Sequence, residues 1–286
     1  MIKDKFSTKK PLLSFEVFPP KKEGDFESVY QTLDELKKLN PDFISVTYGA
    51  GGSKSKKTAE IASYIQNTLS LDALAHMTCV GNKKEDILEV CRQLQEANVS
   101  HVLALRGARP ATMTDEQYEA REFMYASELI QFLKTSTDFS IAGACYPEKH
   151  FEAFSKETDF KNLKEKTDLG CDFLITQLFF DNDYFYEFRE KCLSKNITVP
   201  ICTGIMPITS AKQLGTTVSL SGSSIPKALS DIIAKYGEST EDMRKAGIDF
   251  AIRQVIDLKE NGVDGIHLYT MNKSLNATEI ALAAQL

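Results

Sequence analysis

Eight short apolar runs recur along the chain, and a stretch with helical spacing of apolar residues follows each. Strand-forming runs separated by helices demand parallel strands, because each helix carries the chain back to the starting edge of the sheet. The first run is Ser14-Phe15-Glu16-Val17-Phe18, stopped by Pro19-Pro20, and Phe43–Tyr48, Leu74–Cys79 and His101–Arg106 follow. Ser140–Tyr146, Phe173–Leu178, Val199–Gly204 and Gly265–Tyr269 complete the set.

Between the runs, Asp25 stands as a cap before Phe26, Val29, Tyr30, Leu33 and Leu36, a helical face that Asn40-Pro41 ends. Helices are predicted over Lys56–Leu69, through Ile87, Leu88, Cys91 and Leu94, and over Ala120–Lys134 after a polar loop from Ala108 to Glu119. Further helices are predicted over Asp159–Leu169, Asp183–Ser194, Thr240–Glu260 and Ala277–Ala284. Two short ones flank Ser221–Ser224 within Thr209–Tyr236, and Asn261-Gly262 is a helix C-terminal signal.

Eight strands each followed by a helix, with no linker across 286 residues, predict a single-domain α/β protein, a (β/α)8 TIM barrel spanning residues 1–286. A doubly wound sheet competes, but it has fewer strands at this length, and no GxGxxG follows the first run. The barrel makes a demand: functional polar residues belong at the C-terminal ends of strands. Glu16, Thr47, Tyr48, His76, Arg106, Tyr146, Gln177 and Tyr269 stand at or near such ends.

A net charge of −6 with no basic block argues against a nucleic-acid or anionic-membrane surface. No apolar run is long enough to span a bilayer, and Met1–Lys5 opens no signal-peptide pattern, so a soluble cytoplasmic protein is expected. Six cysteines scattered through apolar segments without a CxxC pair fit reduced, buried thiols.

Glu16 is the residue whose chemistry stands out. Alternation puts Ser14, Glu16 and Phe18 on one face and Phe15, Val17 and Pro19 on the other. A carboxyl in an apolar strand loses water, and desolvation favours its protonated form. The competing reading is an edge strand with Glu16 in solvent. His76 reads either as a packed core residue or as part of the strand-end ring, and no second ligand at metal spacing accompanies it, so no metal is expected. Arg106-Gly107 pairs a guanidinium with a backbone able to approach a ligand, or is a plain turn. Asp159, Asn162 and Lys166 share one helical face, opposite Phe160 and Leu163. That face suits a ribose and diphosphate, or simply solvent. Gly49-Ala50-Gly51-Gly52 lacks Walker spacing and reads as backbone over a ligand rather than a nucleoside-triphosphate site.

Six segments in register, Phe15–Pro20, Val46–Ala50, His76–Cys79, Ala104–Gly107, Tyr146–Glu148 and Ile175–Gln177, resemble the successive motifs of methylenetetrahydrofolate reductases. The resemblance covers essentially the whole chain and is to the compact bacterial form. It implies a flavin-holding barrel and a ping-pong oxidoreductase: hydride passes from NADH or NADPH to FAD, then to the one-carbon unit of a folate. Glu16 matches the acid that protonates N10 and opens the folate's five-membered ring. Positions matching flavin contacts are Tyr48, Ala50, His76, Arg106, Gly107, Tyr125, Ala126, Tyr146, His150, Ala153, Asp159, Asn162 and Lys166, with Thr47 on the nicotinamide side. Gln177 matches a residue facing both alternating ligands, Gln213 a folate contact, and Lys273 stands where the family often has arginine. The resemblance also implies a homo-oligomer.

One departure stands at Ala108, where the family motif continues to an aspartate near the flavin. Loss of that anion implies slower folate reduction with flavin binding retained, unless Asp115 or Glu116 supplies the charge. A folate- or corrinoid-type methyl-transfer barrel and a flavin-binding scaffold of reduced activity are the alternatives.

Overall fold

The computed structural model describes residues 1–8, 11–20, 26–48 and 54–286, the side chains of residues 54, 55 and 220 excepted. Asp25 and the glycine loop with Ala50 lie outside the described residues. Eight parallel strands close on themselves in chain order: β1 (Leu12–Val17), β2 (Phe43–Val46), β3 (Asp72–Thr78), β4 (His101–Leu105), β5 (Ser140–Cys145), β6 (Phe173–Thr176), β7 (Ile201–Ile205) and β8 (Gly265–Tyr269). Closure leaves β1 no edge: Ser14 sits opposite Phe43 on one side and His267 on the other, and Glu16 opposite Ser45 and Tyr269. The reading of Glu16 on a solvated edge strand is thereby excluded.

Period-two alternation then sorts the strand residues. Phe15 and Val17 point outward into the layer between strands and helices, where they join Val29, Leu33, Leu36 and Ile280. The barrel interior is packed by Leu12, Phe43, Leu74, Leu103, Phe173 and Cys202. At its N-terminal end the interior is plugged by α1 (Ile2–Lys5) and Phe6, whose ring lies 5.4 Å from that of Phe173. Lys5 ties this plug down by donating to the Asp42 carbonyl at 2.6 Å and pairing with Asp72 at 2.8 Å. A four-residue helix is too short to show periodicity, so the sequence reading has no counterpart to α1.

The outer layer holds α2 (Phe26–Lys37), α3 (Lys54–Ser63, continued by a π-helical turn over Tyr64–Thr68), α4 (Lys84–Glu96), α5 (Asp115–Glu119), α6 (Ala126–Ser136) and α7 (Lys156–Asp168). It continues with α8 (Asn182–Ser194), α9 (Ala211–Ser221), α10 (Lys227–Tyr236), α11 (Thr240–Glu260) and α12 (Ser274–Ala283). Several helix starts differ from expectation; α12 begins at Ser274 rather than Ala277 without a side-chain cap, and two of the larger shifts have a capping reason. Thr114 and Gln117 form a reciprocal cap that starts the separate α5, and the next helix begins at Ala126 rather than Ala120. Ser155 accepts from the Thr158 amide at 3.1 Å and starts α7 three residues before Asp159. No described helix is long and apolar enough to cross a membrane, and all six cysteines are buried free thiols.

Gly204 in β7 connects the core to the rim. A Cβ there would sit 2.5 Å from the Thr176 carbonyl oxygen and 2.7 Å from the Tyr269 ring, so the absent side chain is what lets Tyr269 lie across β7. Gly204→Ala is therefore expected to lower stability by about 1–3 kcal/mol, the range for overpacking a filled interior, measured by urea or thermal melts. A melting curve superimposed on that of the parent would show that the ring moves aside freely.

Candidate active site at the C-terminal rim

The inner faces of β1, β2, β3 and β8 bring Glu16, Ser45, His76, His267 and Tyr269 together where the apolar interior ends. The Glu16 side chain is only 19% exposed, and its Oε2 lies 3.5 Å from His76 Nε2 and 3.8 Å from His267 Nε2. His76 is almost fully buried, and burial drops its imidazole to about pH 4, with the Glu16 charge opposing the shift and His267 adding to it. At neutral pH His76 is thus uncharged, and its contact with Glu16 is a polar approach rather than an ion pair. His76 Nε2 has no hydrogen-bond partner among the described residues.

The strand end that carries Glu16 is held from β8. Thr270 Oγ1 donates to the Glu16 carbonyl at 2.7 Å, and Asn272 both accepts from the Phe18 amide at 3.0 Å and donates to its carbonyl at 2.9 Å. Met271 and Asn272 turn with φ of 52° and 53°, which folds the loop after β8 over β1. Tyr269 donates its hydroxyl to the Thr176 carbonyl at 2.8 Å. Burial, and next the Glu16 charge, push its phenol well above the usual range, so it stays a donor.

A cavity of about 560 Å³ opens beside the ends of β4 and β5 and is roofed by α6 and α7. Arg106, Tyr125, Ala126, Tyr146, His150, Ala153, Asp159, Asn162 and Lys166 all line it. Phe160 and Leu163 turn to the core, as the helical face requires. Within the cavity His150 donates its amide to Asp159 at 2.9 Å, its ring meets that of Tyr146 edge-on at 4.6 Å, and Lys166 donates to the Ala144 carbonyl. Arg106 forms a two-bond pair with Glu152, which raises the guanidinium pKa and lowers that of the carboxyl. Glu152 is a functional candidate that the sequence reading passed over, since its partner lies far away in the chain. Arg121, stacked over the Tyr118 ring at 3.7 Å, is another.

A second, more apolar cavity of about 510 Å³ lies between the ends of β6 and β7 and α9, lined by Gln177, Leu178, Met206, Gln213 and Met271 among others. The Gln213 carboxamide already closes the preceding loop: it accepts from the Thr209 amide and hydroxyl and donates to the Pro207 carbonyl at 3.0 Å. Thr47 and Tyr48 are half-buried at the end of β2, and Lys273 is exposed at the start of α12; none of the three lines either cavity. Gly107 has a structural reason of its own. With φ of 84° and a Cβ position 2.9 Å from Thr78, the close neighbour it accommodates is a side chain of β3. Ala108 is exposed, Arg109 pairs with Asp115 at 2.7 Å, and neither Asp115 nor Glu116 lines the larger cavity.

The sequence profile of the family described as methylenetetrahydrofolate reductase matches residues 1–285. The 5,10-methylenetetrahydrofolate reductase of Escherichia coli is 34% identical over 262 residues, covering 92% of this chain and 86% of that protein. Methylenetetrahydrofolate reductase (NADH) 1 of Arabidopsis thaliana is 32% identical over 280 residues, 94% of this chain but 47% of that one. Among solved structures, a Clostridium thermocellum protein described as binding two copies of 5-methyl-5,6,7,8-tetrahydrofolic acid superposes with a TM-score of 0.64 at 14% identity, covering 100% of this chain and 98% of that one. That likeness is one of fold.

Buried His76 carries a pH consequence. The unfolded chain binds a proton near the ordinary value of 6.5 while the folded one waits until about pH 4, so stability falls as pH drops through that window. Between pH 7 and pH 5 the loss expected from this group is about 2 kcal/mol, and His76→Asn should remove it. Urea melts of both proteins at the two pH values measure the difference.

Proposed function

Because the chain belongs to the methylenetetrahydrofolate reductase family, we propose that it reduces 5,10-methylenetetrahydrofolate to 5-methyltetrahydrofolate with FAD as cofactor and NADH or NADPH as donor. The observation that carries the reading is the sheltered Glu16 carboxyl at the barrel rim, with a cavity nearby that gathers Arg106, Tyr146, His150, Asp159, Asn162 and Lys166.

The residues fit the cofactor. Arg106 and Lys166 supply cations for a diphosphate, Asp159 and Asn162 can hold ribose hydroxyls, and Tyr146, His150 and Tyr125 offer ring faces. Small side chains at Ala126, Ala144 and Ala153 leave room between them. When bound, FAD supplies the hydride chemistry, and the protein supplies binding, orientation and the proton.

Glu16 acts as the acid that delivers a proton from a carboxyl oxygen to N10 of the folate. Its backbone is fixed by Thr270, so the carboxyl is presented from a rigid strand end. Gln177 and the apolar wall of the second cavity, Leu178, Met206 and Met271, suit the flat pterin and aminobenzoyl parts of a folate. Exposed Lys273 is available to the glutamate tail as a single charge without a bidentate fork. The same rim receives the nicotinamide first and the folate second, which makes the reaction a ping-pong exchange.

Glu16→Gln is expected to slow the folate half-reaction about 100- to 10,000-fold, the usual contribution of a positioned acid, while flavin reduction by the nicotinamide falls much less. Anaerobic stopped-flow of the two half-reactions reads both, and equal losses would refute the role. Ala108→Asp restores an anion beside Arg106-Gly107 and should speed the folate half-reaction by stabilising positive charge on the substrate; unchanged rates would show that the position is silent.

A further inference from the structure

Below Glu16 lies a set of buried polar groups that the reading above does not use. His267 is fully buried, with Phe43 stacked on its ring at 5.9 Å and 19° and Tyr269 edge-on at 5.4 Å and 86°. The two rings restrain the orientation of the imidazole. Its Nδ1 lies 2.8 Å from Ser14 Oγ, and Ser14 Oγ lies 3.3 Å from the Ile266 carbonyl oxygen.

A carbonyl oxygen only accepts, and a serine hydroxyl has a single proton to give. With that proton directed to Ile266, Ser14 Oγ accepts from His267, so Nδ1 carries the hydrogen and Nε2 the lone pair. Nε2 then faces Ser45 Oγ at 3.4 Å and Glu16 Oε2 at 3.8 Å. His76 Nε2 approaches the same carboxyl oxygen at 3.5 Å without a hydrogen-bond partner among the described residues. Two imidazoles therefore converge on one oxygen of Glu16, and among the described residues His267 is the one whose Nδ1 has a hydrogen-bonded side-chain partner.

We propose that His267 is a positioning residue for the acid: Ser14 locks it in the Nδ1–H tautomer, and its Nε2 lone pair orients the Glu16 carboxyl as that group takes up the proton it delivers. This deepens the reductase reading and rests on it for its kinetic part. The separation of 3.8 Å is longer than a hydrogen bond, so a small swing of the carboxyl is required to close it.

The tautomer is tested without substrate or cofactor. The chain has four histidines, so ¹⁵N-detected imidazole spectra can be assigned with single His→Gln variants. At neutral pH His267 is expected to show a protonated Nδ1 and an unprotonated Nε2, and Ser14→Ala is expected to shift it toward the Nε2–H form. An Nε2–H tautomer in the parent protein, or a tautomer indifferent to Ser14→Ala, overturns the proposal. In steady state Ser14→Ala should lower kcat for folate reduction about tenfold or more with KM within about twofold. A fall in melting temperature with kcat unchanged would mark the serine as structural and overturn the positioning role. If the parent protein reduces no folate, the proposed function fails while the spectra still decide the tautomer.

Discussion

Everything at the rim depends on barrel closure. Only because β8 pairs with β1 does Glu16 lie beside Tyr269 in register and across from His267, whose position in the chain is some two hundred and fifty residues away. An open sheet would leave the first strand with one neighbour and its carboxyl in water. Closed, the strand gains a second row of hydrogen bonds, and the loop after β8 folds back over its end through Thr270 and Asn272. The aim of the acid is thus built into the same contacts that join the first strand to the last.

The division of labour between the two faces of the strands is equally physical. Outward residues build one continuous layer of packing under the helices, whereas inward residues change character along the barrel axis. Near the N-terminal end they are large and apolar and are plugged by Phe6; near the C-terminal end they are Ser14, Ser45, Glu16, His76, His267 and Tyr269. Concentrating polar groups there costs desolvation, seen in His76, which burial pushes down to about pH 4, and in Tyr269, pushed well above the usual phenol range. Gly204 belongs to this economy of space, since its missing side chain makes room for the tyrosine that reaches Thr176.

Much of this architecture was legible from the chain. Strand–helix alternation reports directly on burial, so all eight strands and the shared face of Ser14 and Glu16 follow from periodicity, though not which face is inward, and the shared face of Asp159, Asn162 and Lys166 follows from helical spacing. Short pieces such as α1 and α5 carry no periodic signal and escaped it. His267 was visible as a polar residue two places before Tyr269 on the same strand face, but a lone histidine in an apolar strand looks the same whether it packs or positions. Glu152 depends on Arg106, a partner that only the folded chain brings near.

In the proposed reaction the rim is a redox site shared in turn by a nicotinamide and a folate over a bound flavin. Anaerobic titration of the FAD-loaded protein followed by its visible absorbance tests this most directly. NADH or NADPH is expected to bleach the flavin band and 5,10-methylenetetrahydrofolate then to restore it, with 5-methyltetrahydrofolate as product. A flavin that stays oxidised with both nicotinamides, or one that is bleached but is not reoxidised by the folate, would contradict it.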